Sequence, residues 1–495
     1  MAQLFITDMG ALGRPLPTGD VLPPLPAGTI AAVERAGLTD GMPFILGDDG
    51  AYDVELNRFF RSCPTMGVRA PNSLEAYARD ILTWLRFLAE RRGGKTLWQA
   101  DREDIAAFHA ARRRSRPPHR ISAASWNRCI AALEKLYHWA REEALTATTP
   151  FSYRQVWRHP HGGVRSDPMM VSHNRAREPA ARHGDVRFVA LDRFLLFRDV
   201  GLRGRLPDGT EDPRWRGRHG ERNALFAELL ATTGLRLAEA ANLLACELPN
   251  LDGPDVRDRR LLPFRLPAAI AKGAKAREIR LPRRLLRQLR DYVELERANA
   301  LARGGACTRA PGSGNLIVAA EVDRRTITLA QGRRPPRRLC LDLLSAAERQ
   351  RLVIATNNDG RPAPALLWLT EAGGVMTPAA WSAVFRRASA RCRAFGIDLD
   401  VTPHMLRHTF AVHMLSMLIR AQIGTVVRGG AGDSAGGGAY RRMIGDPLQK
   451  LQRLMGHASI TSTHVYLDSL EESRALIDAA MDGWTVELAS ADAPP

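Results

Sequence analysis

The sequence lacks cysteine motifs, long apolar runs and clustered carboxylates, and each lack removes a class of protein. Its six cysteines, at positions 63, 129, 246, 307, 340 and 392, include no C-x-x-C pair, so neither a zinc ribbon nor a thioredoxin-like motif can be built locally. A reducing compartment fits that usage. No run of about 18 uncharged apolar residues occurs, and the opening Met-Ala-Gln-Leu-Phe-Ile-Thr-Asp lacks a basic segment followed by an apolar one. Membrane insertion and secretion are therefore not expected, and a cytoplasmic protein is. The glycine-rich stretch at 431–438 has no G-K-[ST] ending, so it does not support a phosphate-binding P-loop. His404 and His408 stand four apart but not in an H-E-x-x-H frame. Glu371, Asp398, Asp400 and Asp468 form no carboxylate cluster of the kind a two-metal nuclease needs. Neither a metal nor another cofactor is expected.

What the chain has is positive charge. Lys and Arg number 71 against 53 Asp and Glu, a formal charge of +18, which favours a polyanionic partner, double-stranded DNA first among them. Most of the excess is Arg, as at Arg112, Arg113, Arg114, Arg116 and Arg120, and again at Arg333, Arg334, Arg337 and Arg338. The planar guanidinium donates in pairs and suits phosphate. Such clusters are also ordinary solvated faces, and an Arg-rich composition also follows from GC-rich coding sequence, so charge supports binding and not catalysis. With 45% hydrophobic and 25% charged residues the composition is that of a folded soluble chain. A length of 495 residues exceeds one ordinary core.

Along the chain, residues 1–70 begin rich in Pro and Gly and read as an N-terminal extension of unknown role. From Asn72, residues Leu74, Tyr77, Ile81, Leu82, Leu85 and Leu88 recur at helical spacing, with Ser73 a candidate cap. Helices are predicted again over 101–113 and 122–143, the last burying Trp126, Ile130, Leu133, Leu136, Tyr137 and Ala140. Residues 71–150 thus form an all-α DNA-binding module, for which a protein-interaction domain is the bland alternative. A linker is expected over 151–187. A second domain, mainly α with a small β-sheet, takes up 188–495, with helices predicted over 191–200 and 223–246. A hairpin with a basic tip, Lys272-Gly-Ala-Lys275, is predicted within 261–282. Long insertions are expected near 299–365 and 420–446.

Four separated pieces of this second domain carry chemistry. They are Thr233-Gly-Leu-Arg236-Leu-Ala-Glu239, Lys272, His404-Met-Leu-Arg407-His408, and the run from Leu454 through His457 to Tyr466. Breaking a phosphodiester without metal requires fixed donors facing the non-bridging oxygens, where negative charge grows. Arg236 and Arg407 can each donate twice, and His404 and His457 can complete the cage; losing one such donor typically costs about 10²–10³ in rate. Tyr466 supplies a nucleophile whose phenol, with an ordinary pKa of about 10, is also a workable leaving group. Lys272, protonated at neutral pH, can act as general acid to the departing 5′-oxygen, with contact of Lys272, Lys275 or Arg277 to the DNA backbone as the competing reading.

In this order the pieces resemble the Arg, Lys, His-x-x-Arg, His and Tyr signature of the tyrosine recombinases of the phage-integrase kind. Thr233 to Glu239 matches T-G-L-R-x-x-E, and Tyr466 stands nine residues after the His of the L-G-H-like Leu454-Met-Gly-His457, from which Met455 departs only mildly. The likeness runs from residue 72 to about 480. It implies an α+β fold with an all-α core-binding domain ahead of the catalytic domain. It also implies site-specific cleavage and rejoining of DNA through a 3′-phosphotyrosine, without metal or ATP, in the service of DNA recombination or integration of a mobile element, and a nucleoid-associated location. The expected assembly is a homotetramer on two DNA sites, with accessory or partner recombinases as further candidates and the tail at 467–488 passed to a neighbour. Glu239 would support Arg236, and His408 would pack behind Arg407. A type IB topoisomerase and a catalytically silent DNA-binding protein are the competing functions; the helical module favours the recombinase, and an intact set of six argues against the silent protein.

Overall fold

In the computed structural model the described residues are 1–9, 28–117, 119–158, 169–179, 186–251, 258–304, 316–323, 325–329, 337–355, 362–428, 446–457 and 459–470. They fall into two compact units, residues 1–184 and 185–495, apart from 312–314.

The first unit is built on three helices, Pro71–Arg91, Arg102–Arg113 and Ala123–Glu142. Pro71 opens the first of them with Ala70 as its cap residue, so Ser73 does not cap: proline's fixed φ and missing N–H suit the first helical position. The Asp101 carboxylate accepts from the amides of Glu103 and Asp104, and the Ser122 hydroxyl from the amide of Ser125. Each satisfies donors a helix start leaves open. Between the helices lie Trp84, Leu88, Phe108, Trp126, Leu133 and Tyr137, all buried. The Tyr137 hydroxyl accepts from Trp84 Nε1 (2.9 Å) and donates to the Leu97 carbonyl (2.8 Å).

This core reaches beyond 71–150 at both ends. Gln3–Ile6 pairs antiparallel with Pro43–Leu46, and the Val54–Ser62 helix buries Leu56, Phe59 and Phe60 among the helices. The Asn57 amide group answers both backbone groups of Ile45 at 2.8 and 2.9 Å. The periodicity of 54–62 was hidden by its brevity and by the Pro- and Gly-rich run before it. Residues 10–27 lie outside the described residues. Within the expected linker, Tyr153–Arg158 pairs with Met169–Asn174, and Glu178 anchors the exit by accepting from Arg113 Nε (2.8 Å) and Nη2 (2.6 Å). A two-stranded ladder with Val156, Trp157 and Met170 exposed shows no apolar alternation, which is why it reads as linker.

In the second unit the Gly220–Thr233 helix is buried nearly all round, with Phe226 stacked on Trp381 at 3.6 Å. The single helix expected over 223–246 is instead broken at Gly234 and resumes as Leu237–Ala241. The helix expected over 191–200 is present as Leu191–Leu196 and continues as a wider π turn, Phe197–Leu202. Leu261–Leu266 and Arg277–Pro282 form the expected hairpin, burying Leu262, Phe264, Leu266, Ile279 and Leu281. Much of the expected insertion at 299–365 is folded. Its strands join in the order Pro362–Pro364, Leu352–Ala355, Ile317–Val322, Thr326–Leu329, Arg337–Cys340, antiparallel except for the second and third. They cover a small core of Leu244, Ala319, Ile327, Leu341, Leu352 and Leu366. Of the other insertion, the Pro403–Arg428 helix takes up the start, and 429–445 lie outside the described residues, as does the tail beyond Leu470.

Candidate active site

The site begins where the Gly220–Thr233 helix stops. Gly234 is left-handed (φ +64), and a Cβ there would lie 2.4 Å from Phe410 Cδ1, so both conformation and space demand glycine. The turn makes Arg236 the cap residue of the next helix, three before Glu239. Glu239, 1% exposed, accepts from the Arg236 amide (2.8 Å) and Arg236 Nη1 (3.0 Å). From the hairpin it accepts Arg277 Nη1 (3.0 Å) and Nη2 (2.6 Å), with the Lys272 amide farther off at 3.4 Å. Burial works to raise the Glu239 pKa, but the hydrogen bonds and charge of Arg277, then the Arg236 amide and charge, outweigh it and hold the carboxyl down at about 2.

The Pro403–Arg428 helix brings His404, Arg407 and His408 to the same place. Arg407 is 2% exposed; its Nη1 donates to the Gly234 carbonyl and its Nη2 to the Met455 carbonyl at 2.6 Å. It thus ties the Arg236 turn to the end of the Pro447–Met455 helix. Burial, followed by the charge of Arg236, lowers its pKa to about 9. The imidazole of His404 lies edge-on to that of His408, 4.3 Å between centroids. Desolvation and then the cations Arg407, Arg236 and Lys272 lower the His404 pKa. Burial followed by His404 and Arg407 takes His408 down to about 4.

The Pro447–Met455 helix closes on a left-handed Gly456 and delivers His457, whose Nδ1 is 2.9 Å from Thr463 Oγ1. Burial, then Arg407 and Arg236, bring His457 to about 4. The short Thr461–His464 helix turns the chain back, so that the Tyr466 ring lies nearly parallel to that of His457, 6.1 Å away. Tyr466 is 2% exposed, and its hydroxyl meets His408 Nδ1 at 3.0 Å. Burial raises the phenol pKa while Arg407 and Arg236 pull it down.

Five of the six expected residues, Arg236, His404, Arg407, His457 and Tyr466, therefore share one basic, partly dehydrated pocket in which the imidazoles are neutral at neutral pH. Lys272 stands at its rim: its side chain is exposed and near enough to His404 to act on its charge. His408 is not merely packed behind Arg407 but touches the phenol. Its position one turn after His404 was the signal available. Arg277, expected to reach DNA if anything, is turned inward onto Glu239, and no spacing rule announces that pairing. Among the described residues no group of three or more His, Cys, Asp or Glu is arranged to hold a metal ion, and no helix is long and apolar enough to cross a membrane.

Two guanidinium groups, three imidazoles of lowered pKa and a phenol around one space can hold a phosphate and present an oxygen to it. Residues 56–144 match the family described as "Phage integrase, N-terminal SAM-like domain". The chain is 25% identical over 401 residues to tyrosine recombinase XerD of Mycobacterium leprae, covering 80% of this chain and 86% of that one. It is also 25% identical over 402 residues to tyrosine recombinase XerC of Agrobacterium fabrum, with coverages of 80% and 84%. Among solved structures it is similar to the XerH site-specific recombinase bound to palindromic difH substrate, at 13% identity and a TM-score of 0.43, over 87% of this chain and 85% of that one. These likenesses support a tyrosine recombinase, a family whose reaction is cleavage and rejoining of DNA by transesterification.

Proposed function

We propose that this chain is a site-specific recombinase or integrase that cuts and rejoins double-stranded DNA through a 3′-phosphotyrosine at Tyr466, with neither metal nor ATP. The observation that carries the reading is the meeting of the Tyr466 phenol with Arg407, His457 and His408 in a pocket that also holds Arg236. The phenol oxygen attacks phosphorus, the bond to the 5′-oxygen breaks, and the 3′-phosphate stays on tyrosine. Arg236 and Arg407 offer their free N–H bonds to the non-bridging oxygens. A Thr463 hydroxyl that donates to Nδ1 would leave the His457 proton on Nε2, where it can be donated as well, and His404 adds another donor from the rim. Such donors act strongly because they are fixed before the charge develops. His408 orients the phenol; at about 4 it is too weakly basic to store the proton, which passes on to solvent. Lys272 protonates the departing oxygen. The released 5′-hydroxyl of another strand then attacks the phosphotyrosine, which conserves the bond and removes any need for ATP.

In this function residues 71–150 serve core binding and 188–495 catalysis, with assembly as a homotetramer on paired sites, accessory or partner recombinases, and nucleoid association. The test uses a nicked duplex selected from a random pool by binding to this chain, in EDTA. Wild type should yield a denaturant-resistant protein–DNA adduct and Tyr466→Phe none, while both bind the duplex equally. Adduct from Tyr466→Phe, or none from wild type on bound DNA, would sink the assignment.

A further inference from the structure

Of the cations between Lys272 and Arg280, Lys272, Lys275 and Arg280 are exposed, whereas the Arg277 side chain is 7% exposed and clasps Glu239 through two N–H bonds. Arg277 Cδ also lies 3.0 Å from where a Cβ on Gly456 would stand, so its stem packs against the turn that delivers His457. Through Glu239 it is joined to both the amide and the guanidinium of Arg236. The Lys272 side chain, by contrast, is exposed, and its amide reaches Glu239 only at 3.4 Å. The apolar face of the hairpin is held in the core, but its tip from Lys272 to Ala276 is exposed, and the Arg277–Glu239 pair ties the strand that leaves the tip to the Arg236 turn.

We propose that Arg277 is a positioning residue: its two-bonded pairing with Glu239 fixes the hairpin against the Arg236 and His457 turns, and so sets where the Lys272 ammonium stands over the departing oxygen. The proposal rests on the transesterification reading above. A planar fork on a carboxylate fixes both distance and orientation, which a lysine in the same place cannot do. A general acid contributes roughly 10²–10⁴ in rate, and misplacement by about 1 Å forfeits about 10².

The test compares two nicked duplexes, one with the normal 5′-oxygen at the scissile phosphate and one with sulfur there. A thiol with a pKa near 8.5 leaves without a proton donor, so loss of the acid alone is repaired by sulfur. Single-turnover cleavage of the oxygen substrate by Arg277→Lys should fall about 10²-fold, as it should for Lys272→Ala. On the sulfur substrate both should return to within a few-fold of wild type. Tyr466→Phe should be silent on both. A defect equal on both substrates would mean that Arg277 serves the cage or the fold and would overturn the proposal, as would no defect at all, or failure of sulfur to rescue Lys272→Ala. If Arg277→Lys does not fold, the double variant Glu239→Gln, Arg277→Met removes both charges together and is read on the same pair of substrates. No adduct from wild type on either substrate, despite binding, would instead overturn the transesterification reading beneath it.

Discussion

At the scale of single residues, Glu239 sets one buried negative charge against two guanidinium groups. Replacing it by Gln leaves Arg277 buried without a counter-charge, and removing one partner of a buried pair typically costs about 3–5 kcal/mol. Urea denaturation of Glu239→Gln should show a loss of that order; a loss below about 1 kcal/mol would mean that the carboxylate is dispensable to packing. For His408→Phe, which keeps the bulk and removes the ring nitrogen that meets the phenol, single-turnover cleavage should fall by roughly 10²-fold, as a misplaced nucleophile would cause, with DNA affinity unchanged. The residues the sequence discloses and those it conceals divide along one line. Arg236, Lys272, His404, Arg407, His457 and Tyr466 sit in short local motifs whose chemistry can be read from neighbours. The Arg277–Glu239 pairing joins positions 38 apart with no pattern between them, and the His408–Tyr466 contact spans 58. Only folding makes either visible.

Among the elements, the three helices of the first unit were legible to within a residue or two because caps and periodicity agree at Asp101 and Ser122. The break at Gly234 was not, because Leu229, Leu230 and Leu235 keep the apolar run going on both sides of it. The short strands at 317–322, 326–329 and 352–355 were read as insertion because basic and glycine-rich stretches separate them. The break also yields a prediction. Gly234→Ala must hold a left-handed backbone, costing about 1–2 kcal/mol, and push against Phe410, costing about 1–3 kcal/mol more. Thermal melting should register that destabilisation. Adduct formation should fall further than stability does, since the Gly234 carbonyl is a partner of Arg407.

For the whole molecule, the neutral histidines make stability depend on pH in a stated direction. His408 and His457 titrate near 4 in the folded protein and near 6.5 when unfolded. Between these values the unfolded chain binds protons that the folded one refuses, so stability falls as pH drops from about 6.5 to about 4. Glu239, near 2 when folded against about 4.3 when unfolded, adds its own loss below that window. Melting temperature should therefore decline from pH 7 to pH 4.5, and less steeply in a His408→Gln, His457→Gln variant; equal slopes would show that these imidazoles are not held neutral. The charge of +18 bears on binding instead. Affinity for duplex DNA should drop roughly 10³–10⁵-fold between about 50 mM and about 200 mM salt if some 6–10 phosphates are contacted. Finally, Arg407 joins the Gly234 carbonyl, 173 residues before it, to that of Met455, 48 after it. Contacts of such separation form late, because the loops they close cost entropy before they give anything back. In refolding, helix signal should recover well before the power to form an adduct, and during synthesis Tyr466 is made only after Gly234, Arg407 and Met455, the three positions that must already be tied together around it.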